Sequence, residues 1–370
     1  MPQANSSRRP QANSSRGPQS NSGMRKQALA TAIVLFLAAT SIAQQPRILH
    51  GTVTPIAASS DLGAQIRASK TAFIGYSVPE IEGGHVMCCF DRWGDYRTGG
   101  TCSLDRDGSS FNSSDRDDMH VASSDVFAIV YRVENGEIAR ARSYSMDCAL
   151  DANGTAVTWV DGVDPKKSVA LLASMVGSSE RRSESVMSTL AMHADASATT
   201  ELERTLNSST APDGTRGQAA FWLGQTRGRR GYEDVLAVAQ SPSASPHLRE
   251  KAVFALSQSK EPGAIDALIN LAKHDPTAHV RSQAIFWLSQ KAGNKAAGAI
   301  RASLDDDPDS GVRDKAVFAV SQLPNDESVP MLIELMKSHR DPSVRKKAAF
   351  WLGQKHDPRA LAAIEDVLKR

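Results

Sequence analysis

The sequence repeats one short motif five times toward the end of the chain. The last copy is AAFWLGQ at 348–354, and the Phe of successive copies recurs at steps of 33, 32, 32 and 32 residues. A constant period in this range predicts an array of one repeated supersecondary unit. The repeated positions are Phe221, Phe254, Phe286, Phe318 and Phe350, each followed four residues later by Gln225, Gln258, Gln290, Gln322 and Gln354.

Each repeat is expected to form two helices. Asp341-Pro342 and Asp357-Pro358 each join a preferred N-cap residue to a Pro at the first helical position. The same pattern occurs upstream at Asp275-Pro276, Asp307-Pro308 and Glu261-Pro262. An Ala stands two residues before each Phe and lets neighbouring helices approach closely. The Arg five residues before each Phe is expected to meet the Asp of a turn in its own or the next repeat; these are Arg216, Arg249, Arg281, Arg313 and Arg345.

The pattern D-P-x-V-R-x-x-A-x-x-x-L resembles HEAT repeats, in particular the short HEAT-like type of the phycobiliprotein lyases. The resemblance covers about residues 180–370 and implies a right-handed, all-α solenoid. We expect the solenoid to span 164–370, with about five clear repeats and one degenerate N-terminal repeat. In HEAT proteins the Arg-bearing helix lines the concave surface, so the resemblance places the Phe and Gln columns there.

Two interpretations of these columns stay open. On a helical wheel that starts at the Val six residues before Phe, Phe and Gln fall at roughly 240° and 280°, away from the core arc. In the first interpretation, the Phe and Gln side chains form an aromatic and amide groove that binds an extended peptide. In the second, the Phe and Trp side chains fill space between successive helices, and the Gln side chains form ladders between repeats. The residue after Phe alternates between Trp and Ala, and the wheel favours space filling for the Trp.

The start of the chain carries the features of an export signal. Arg25-Lys26 precede a short apolar run that ends in small residues, which predicts a signal peptide over 24–43 with cleavage after Ala43. The alternative is an uncleaved N-terminal anchor. We expect an exported mature protein, periplasmic or secreted, that is not an integral membrane protein after cleavage. Residues 1–23 repeat a Pro- and Ser-rich octapeptide, and we expect translation to start at Met24 and the mature protein to lack them.

Residues 46–163 differ in composition and are expected to form a small α+β or mostly-β domain. Val126–Val133 and Ile138–Ser145 flank Asn135-Gly136, which predicts a β-hairpin. Thr71–Pro79 and Thr155–Val160 are expected to be strands, and Ser60–Ser69 a helix.

All four cysteines lie in this region, at Cys88, Cys89, Cys102 and Cys148. Outside the cytoplasm we expect two disulfides, with Cys88 and Cys89 each paired to one of the distant two. A metal site that uses His85, or a redox-active vicinal pair, are the alternatives.

Several classes of function find no support. A net charge of +2 makes no case for nucleic acid. The HEAT-like di-iron hydroxylases need His-Glu pairs, and none of the nine His precedes a Glu. His247, His274, His279, His339 and His356 are expected to be satisfied surface residues that share no column. The clusters Asp115-Arg116-Asp117-Asp118 and Asp305-Asp306-Asp307 are typical of solvated loops rather than of calcium sites.

We therefore expect no catalytic residue, metal or cofactor. The sequence favours an extracytoplasmic protein-protein interaction scaffold that binds a partner protein or peptide on the concave face of the solenoid. The alternative is an enzyme or redox protein that acts through the N-terminal domain, or a HEAT-like lyase or oxidoreductase, with the solenoid as a docking module.

Overall fold

The computed structural model describes residues 45–83, 101–105, 109–110, 125–146, 148–177, 180–291 and 294–369. The predicted signal segment 24–43, the octapeptide repeats 1–23, His85, Cys88 and Cys89 lie outside these residues. Within them the chain forms nine strands followed by a long array of helices. No helix of the described residues is long and apolar enough to cross a bilayer.

The strands form two sheets. They are β1 (Arg47–Leu49), β2 (Val53–Ala57), β3 (Phe73–Pro79), β4 (Thr101–Ser103), β5 (Ser109–Ser110), β6 (Val126–Glu134), β7 (Glu137–Ser145), β8 (Ala149–Asp151) and β9 (Val157–Asp161). The larger sheet has the order β2-β9-β3-β6-β7, with β9 parallel to β2 and β3 and the rest antiparallel. The smaller sheet has the order β1-β8-β4-β5.

The predicted hairpin is confirmed. Strands β6 and β7 pair antiparallel, and the turn residues Asn135 and Gly136 both have positive φ, at 53° and 78°. This geometry matches the type I′ turn that Asn-Gly favours. The strands predicted at 71–79 and 155–160 are confirmed as β3 and β9, and the predicted helix is α1 (Leu62–Arg67), which Asp61 caps.

Alternate residues of the larger sheet enter two different cores. Phe73, Val130 and Trp159 face the smaller sheet, where they pack with Cys102 and Leu150. Tyr76, Phe127 and Ile129 face the opposite way and join one hydrophobic core that continues through the helices to the end of the array. Both sides of the sheet are therefore covered.

The remaining helices stack as six pairs after a first helix, α2. Their bounds are α2 (Pro165–Met175), α3 (Glu180–Met192), α4 (Ala196–Leu206), α5 (Asp213–Thr226), α6 (Gly228–Gln240), α7 (Pro246–Gln258), α8 (Ala264–His274), α9 (Ala278–Lys291), α10 (Asn294–Asp306), α11 (Ser310–Gln322), α12 (Asn325–Ser338), α13 (Pro342–Gly353) and α14 (Pro358–Leu368). The pair α3 and α4 is the degenerate repeat, and the other five pairs carry the motif. The predicted solenoid is thereby confirmed as the fold.

The helices of these five pairs form two layers. We call α5, α7, α9, α11 and α13 the inner layer, and α6, α8, α10, α12 and α14 the outer layer. Inner helices pack extensively on the next inner helix, whereas outer helices touch one another much less. The Ala two residues before each Phe is buried in every repeat and allows this close packing; these are Ala219, Ala252, Ala284, Ala316 and Ala348.

Arginine-aspartate pairs join successive repeats, and two of the three are buried. The Arg249 guanidinium contacts the Asp275 carboxylate, and both side chains are buried. Arg281 holds Asp307 with two hydrogen bonds of 2.7 and 2.9 Å. Arg313 reaches Asp341 at 3.1 Å. In each case the Arg meets an Asp of the next repeat: Asp275 and Asp307 stand six residues before the Arg of their own repeat, and Asp341 stands four residues before it.

The first and last arginines of the column differ from these three. The position in the next repeat that would face Arg216 is Ser243, and Arg216 instead meets Asp213 of its own helix at 3.4 Å. Arg345 donates to the carbonyl of His339 at 2.8 Å.

The same aspartates also hold the backbone of the turns. Asp275, Asp307 and Asp341 accept the N–H two residues ahead at 2.9, 2.9 and 2.8 Å. Burial raises the pKa of Asp307, but hydrogen bonds from Arg281 and from the Asp309 N–H outweigh it and leave that pKa below its ordinary value. One carboxylate therefore fixes a turn and a repeat interface together.

Not every Asp-Pro pair caps a helix as predicted. Asp164, Asp341 and Asp357 are N-caps followed by Pro at the first position. The prediction is wrong for Asp275 and Asp307, because α9 begins at Ala278 and α11 begins at Ser310 with Asp309 as its cap. At Glu261-Pro262 the helix begins only at Ala264.

A buried polar chain connects the larger sheet to the helices. Hydrogen bonds run from Tyr131 to Tyr76 at 2.7 Å, from Tyr76 to Ser168 at 2.7 Å, and from Ser168 to Nε2 of His193 at 3.0 Å. Burial raises the pKa of Tyr76 to about 12 and lowers that of His193 to about 4. The guanidinium of Arg227 donates to the carbonyls of Ala191 and His193 and so closes the C-terminal end of α3.

Loss of a single partner of the buried Arg281–Asp307 pair should be costly. Arg281→Met or Asp307→Asn should each lower the free energy of unfolding by about 3–5 kcal/mol, because either leaves a buried charge without its partner. The double variant should recover part of this loss. Urea unfolding, followed by circular dichroism, measures the free energy of unfolding of the four proteins in this double-mutant cycle.

The exposed pair Arg301–Glu334 provides the matched control, since it also joins neighbouring repeats. Its single variants should change the free energy of unfolding by no more than about 1 kcal/mol. Equal losses at both pairs would contradict a special role for the buried pairs.

His193 should make the stability depend on pH. Unfolded His193 takes up a proton below its ordinary pKa of 6.5, whereas the folded pKa is about 4 because burial and Arg227 oppose the charge more than Asp195 favours it. Its contribution to stability is complete above pH 6.5 and is lost as pH falls toward 4, by about 3 kcal/mol in all. His193→Gln should flatten the pH profile of the free energy of unfolding between these values, as urea unfolding at a series of pH values measures.

Candidate functional site

The five motif Phe side chains lie on the inner layer at the surface of the array. Phe221, Phe254, Phe286 and Phe318 are half-buried, whereas Phe350 is 58% exposed. None of them belongs to the fully buried core. The prediction that they lie off the core face of their helices agrees with this placement.

The Phe and Trp rings form one continuous stack, which we call the aromatic ladder: Trp222, Phe221, Phe254, Trp287, Phe286, Phe318, Trp351 and Phe350. Successive ring centroids are 4.7–6.1 Å apart. Phe221 stacks on Phe254 with an interplanar angle of 7°, and Phe286 stacks on Phe318 at 11°. Six of the eight rings therefore pack on a ring of the neighbouring repeat, whereas Trp222 and Phe350 contact only a ring of their own repeat.

The ladder explains the alternation of Trp and Ala. The Trp287 ring packs on Phe254 of the preceding repeat at 4.7 Å, and Trp351 packs on Phe318 at 5.1 Å. Ala255 and Ala319 stand at the same position in the intervening repeats and are buried. There the Phe of the repeat stacks directly on the preceding Phe. The Trp residues are half-buried against the core, as space filling between helices requires.

The Gln column lies beside the ladder. Gln225 and Gln258 are half-buried, while Gln290, Gln322 and Gln354 are exposed. Gln258 donates to Ser257 at 2.8 Å and accepts from Lys291 of the next repeat at 3.1 Å. Gln322 donates to Ser321 at 3.1 Å. Among the described residues these contacts are not Gln-to-Gln ladders, so amide groups remain at the surface.

A column of lysines and glutamines stands three residues before each Phe, at Gln218, Lys251, Gln283, Lys315 and Lys347. The Lys315 ammonium lies over the stacked pair, 5.3 Å from the Phe286 centroid and 5.6 Å from that of Phe318. Contacts of this kind are worth about 0.5–1 kcal/mol at exposed sites. Lys347 forms an ion pair with Asp314 of the preceding repeat.

Two of the five histidines share a column, although the five as a group do not. His247 and His279 both stand seven residues before a Phe, and Glu250 lies between them. His279 Nε2 is 3.0 Å from the Glu250 carboxylate, and His247 Nδ1 is 3.9 Å from it. This shared position was visible in the alignment of the repeated motif, because both histidines stand at the same distance from the Phe of their own helix. Within the described residues no group of His, Cys, Asp or Glu is arranged to hold a metal ion.

Two further expectations for polar residues need correction. His339 is buried rather than at the surface, and its Nδ1 accepts the Asp341 N–H at 3.0 Å. Asp307 is not part of a solvated loop, because Arg281 holds it in an inter-repeat ion pair. The other acidic cluster, Asp115-Arg116-Asp117-Asp118, lies outside the described residues.

The described cysteines are structural in character. Cys102 lies in β4 and Cys148 just before β8, and both are buried in the core between the two sheets. Neither is a free thiol. The pairing of the four cysteines stays a prediction, since Cys88 and Cys89 are not described.

A small cavity of about 290 Å³ lies at one end of the inner face. Its lining includes Glu82 after β3, Gln225 at the end of α5, and Lys260 and Glu261 between α7 and α8. The cavity therefore adjoins the first Gln of the column and combines charged and amide groups.

The repeats belong to a known class. Residues 202–289 and 298–370 match the family model of HEAT repeats, and the helical part of this chain is a HEAT-repeat solenoid. No curated protein gives a significant sequence match.

Solved structures that are similar to the chain include human deoxyhypusine hydroxylase in complex with glycerol, at 19% identity over 55% of this chain and 78% of that chain, with a TM-score of 0.24. The complex of CpcE and CpcF of phycocyanin lyase from Nostoc sp. is 19% identical over 52% of this chain and 77% of that chain, with a TM-score of 0.32. The S. pombe condensin Cnd3-Cnd2 subcomplex is 16% identical over 54% of this chain and 27% of that chain, with a TM-score of 0.33.

Proposed function

We propose that this protein is an extracytoplasmic interaction scaffold that binds a partner protein or peptide along the inner layer of its solenoid. HEAT-repeat solenoids commonly serve as protein-interaction scaffolds. The observation that carries the proposal is the aromatic ladder, which leaves a continuous line of partly exposed rings across five repeats, flanked by surface amides. A partner that covers this line gains apolar burial and hydrogen bonds together.

Packing of the aromatic ladder between repeats does not prevent the same rings from binding a partner. Each Phe uses a ring face on its neighbour, so a soluble array without a partner already holds the rings in place. Binding to a surface that is fixed in advance avoids the cost of ordering it. Inter-repeat packing and partner binding are therefore compatible roles for the same side chains.

Export is the second part of the proposal. It rests on the basic pair, apolar run and small residues of 24–43. The buried cysteines of the sheet core, which are not free thiols, fit an oxidising compartment.

A phosphatase fusion tests export. Alkaline phosphatase joined after Gln45 should be active in a bacterial host, because that enzyme needs disulfides that form only outside the cytoplasm. Deletion of 25–43, which keeps Met24, from the same fusion should abolish the activity without lowering the amount of fusion protein. Equal activity in both fusions would contradict export through this segment.

Site-specific photo-crosslinking tests the binding face. A photoreactive phenylalanine analogue at position 350 replaces a side chain that is 58% exposed, so the fold should tolerate it. We expect it to capture a discrete partner from the extracytoplasmic fraction. The analogue at Leu361, which is 62% exposed in the outer layer, is the matched control and should capture none.

A second variant separates binding from folding. Phe254→Leu, Phe286→Leu and Phe318→Leu together keep apolar volume and lose the rings. If the circular dichroism spectrum is unchanged and the crosslink at position 350 disappears, the ladder binds the partner. A crosslink that survives in the folded variant would show that the rings serve the repeat interfaces alone.

A further inference from the structure

The basic side chains of the two layers differ in their partners. In the outer layer most described basic side chains meet a carboxylate, in the pairs Arg229–Glu233, Arg230–Glu203, Arg301–Glu334, Lys337–Asp366 and Arg359–Asp357. On the inner layer, Lys251, Lys315 and Lys346 have no carboxylate within ion-pair distance among the described residues. The inner face therefore presents positive charge that its own residues leave uncompensated.

Two of these lysines are fixed against the ladder rather than extended into solvent. Lys315 lies over Phe286 and Phe318. Lys251 crosses α5 at Gly217, where a Cβ would lie 2.7 Å from the Lys251 Cγ. Glycine at this position therefore leaves room for the aliphatic stem. Both lysines are half-buried, and the Lys315 ammonium is held at the level of the rings.

The two lysines also follow the two-repeat period of the ladder. Lys251 and Lys315 belong to the repeats with Ala255 and Ala319, whereas the Trp222 and Trp287 repeats carry Gln218 and Gln283 at the same position. The last Trp repeat carries Lys347 there, and its charge is compensated by Asp314. Neighbouring helices pack at about 8–10 Å, so the lysines are roughly 16–20 Å apart. That distance corresponds to about five or six residues of an extended chain.

We propose that the inner face binds an extended acidic polypeptide segment, whose carboxylates recur at about six-residue intervals and meet Lys251 and Lys315. This deepens the proposed function and rests on it. The backbone of the segment would use the surface amides of the Gln column, and its apolar side chains would cover the exposed ring edges.

A polypeptide fits this face better than a nucleic acid does. Single strands bind by stacking bases on free aromatic faces, whereas here the rings stack on one another. The charge on the face comes from lysines at wide intervals, and the whole chain has a net charge of only +2. Dense phosphate backbones call for more basic surface than this.

Fluorescence anisotropy with defined peptides tests the inference. The probe is a labelled 20-residue peptide with Glu at every sixth position and Ser and Leu between, and the comparison peptide carries Gln in place of each Glu. The full chain should bind the Glu peptide more tightly, with an affinity that falls as salt rises. Lys251→Glu and Lys315→Glu should each weaken binding about fivefold, as expected for reversal of an exposed ion pair.

The matched control is Lys273→Glu, which makes the same charge change at an exposed position of the outer layer. It should leave the affinity within about twofold, because distant exposed charges are screened. Lys251→Gln and Lys315→Gln serve as second variants if circular dichroism shows that a charge reversal disturbs the fold.

The outcomes separate this inference from the proposed function. If the Glu and Gln peptides bind equally, the proposal of an acidic ligand is wrong. It is also wrong if Lys273→Glu weakens binding as much as Lys251→Glu and Lys315→Glu do. A crosslink at position 350 would still support the scaffold in that case. Equal or tighter binding of a 20-nucleotide single-stranded DNA would also overturn the inference, in favour of a general polyanion site.

Discussion

The rest of the array depends on the carboxylate that stands at the turn between repeats. Asp275, Asp307 and Asp341 each accept a backbone N–H of their own turn and an Arg from the repeat before. Because one side chain serves both contacts, a helix can begin correctly only where the next repeat is docked correctly. A buried pair of this kind is costly to desolvate, and its value lies in fixing register rather than in added stability. The ring-to-ring distances of the inner layer follow from that register.

Local patterns predicted the elements whose cause is local. The period of the Phe residues, the Asn135-Gly136 turn and the caps at Asp341 and Asp357 all depend on neighbours in sequence, and the structure contains each of them. The start of α9 was misplaced: the helix begins at Ala278, three residues after Asp275, although Asp275 accepts the N–H of Thr277. The partner of Asp275 in the preceding repeat, Arg249, lies 26 positions earlier and could not be read from the cap motif.

Contacts between distant segments account for what the sequence did not reveal. The smaller sheet pairs strands of two or three residues, too short for a recognisable alternation. His193 is buried only because β3, α2 and α5 converge on it. The helical wheel placed Phe off the core but could not show that rings of successive repeats touch, since that depends on the rotation from one repeat to the next. The shared column of His247 and His279 was visible in the alignment of the motif.

The two kinds of contact in the aromatic ladder restrict how the length of such an array can change. Phe stacks on Phe at one interface and Trp packs on Phe at the next. Loss or gain of a single repeat would bring two Trp repeats or two Ala repeats together, with rings crowded at one interface and a void at another. Loss or gain of two repeats would preserve every interface. The unit of duplication in this solenoid is therefore a pair of adjacent repeats, one with Trp and one with Ala. Natural variants of different length should differ by even numbers of repeats.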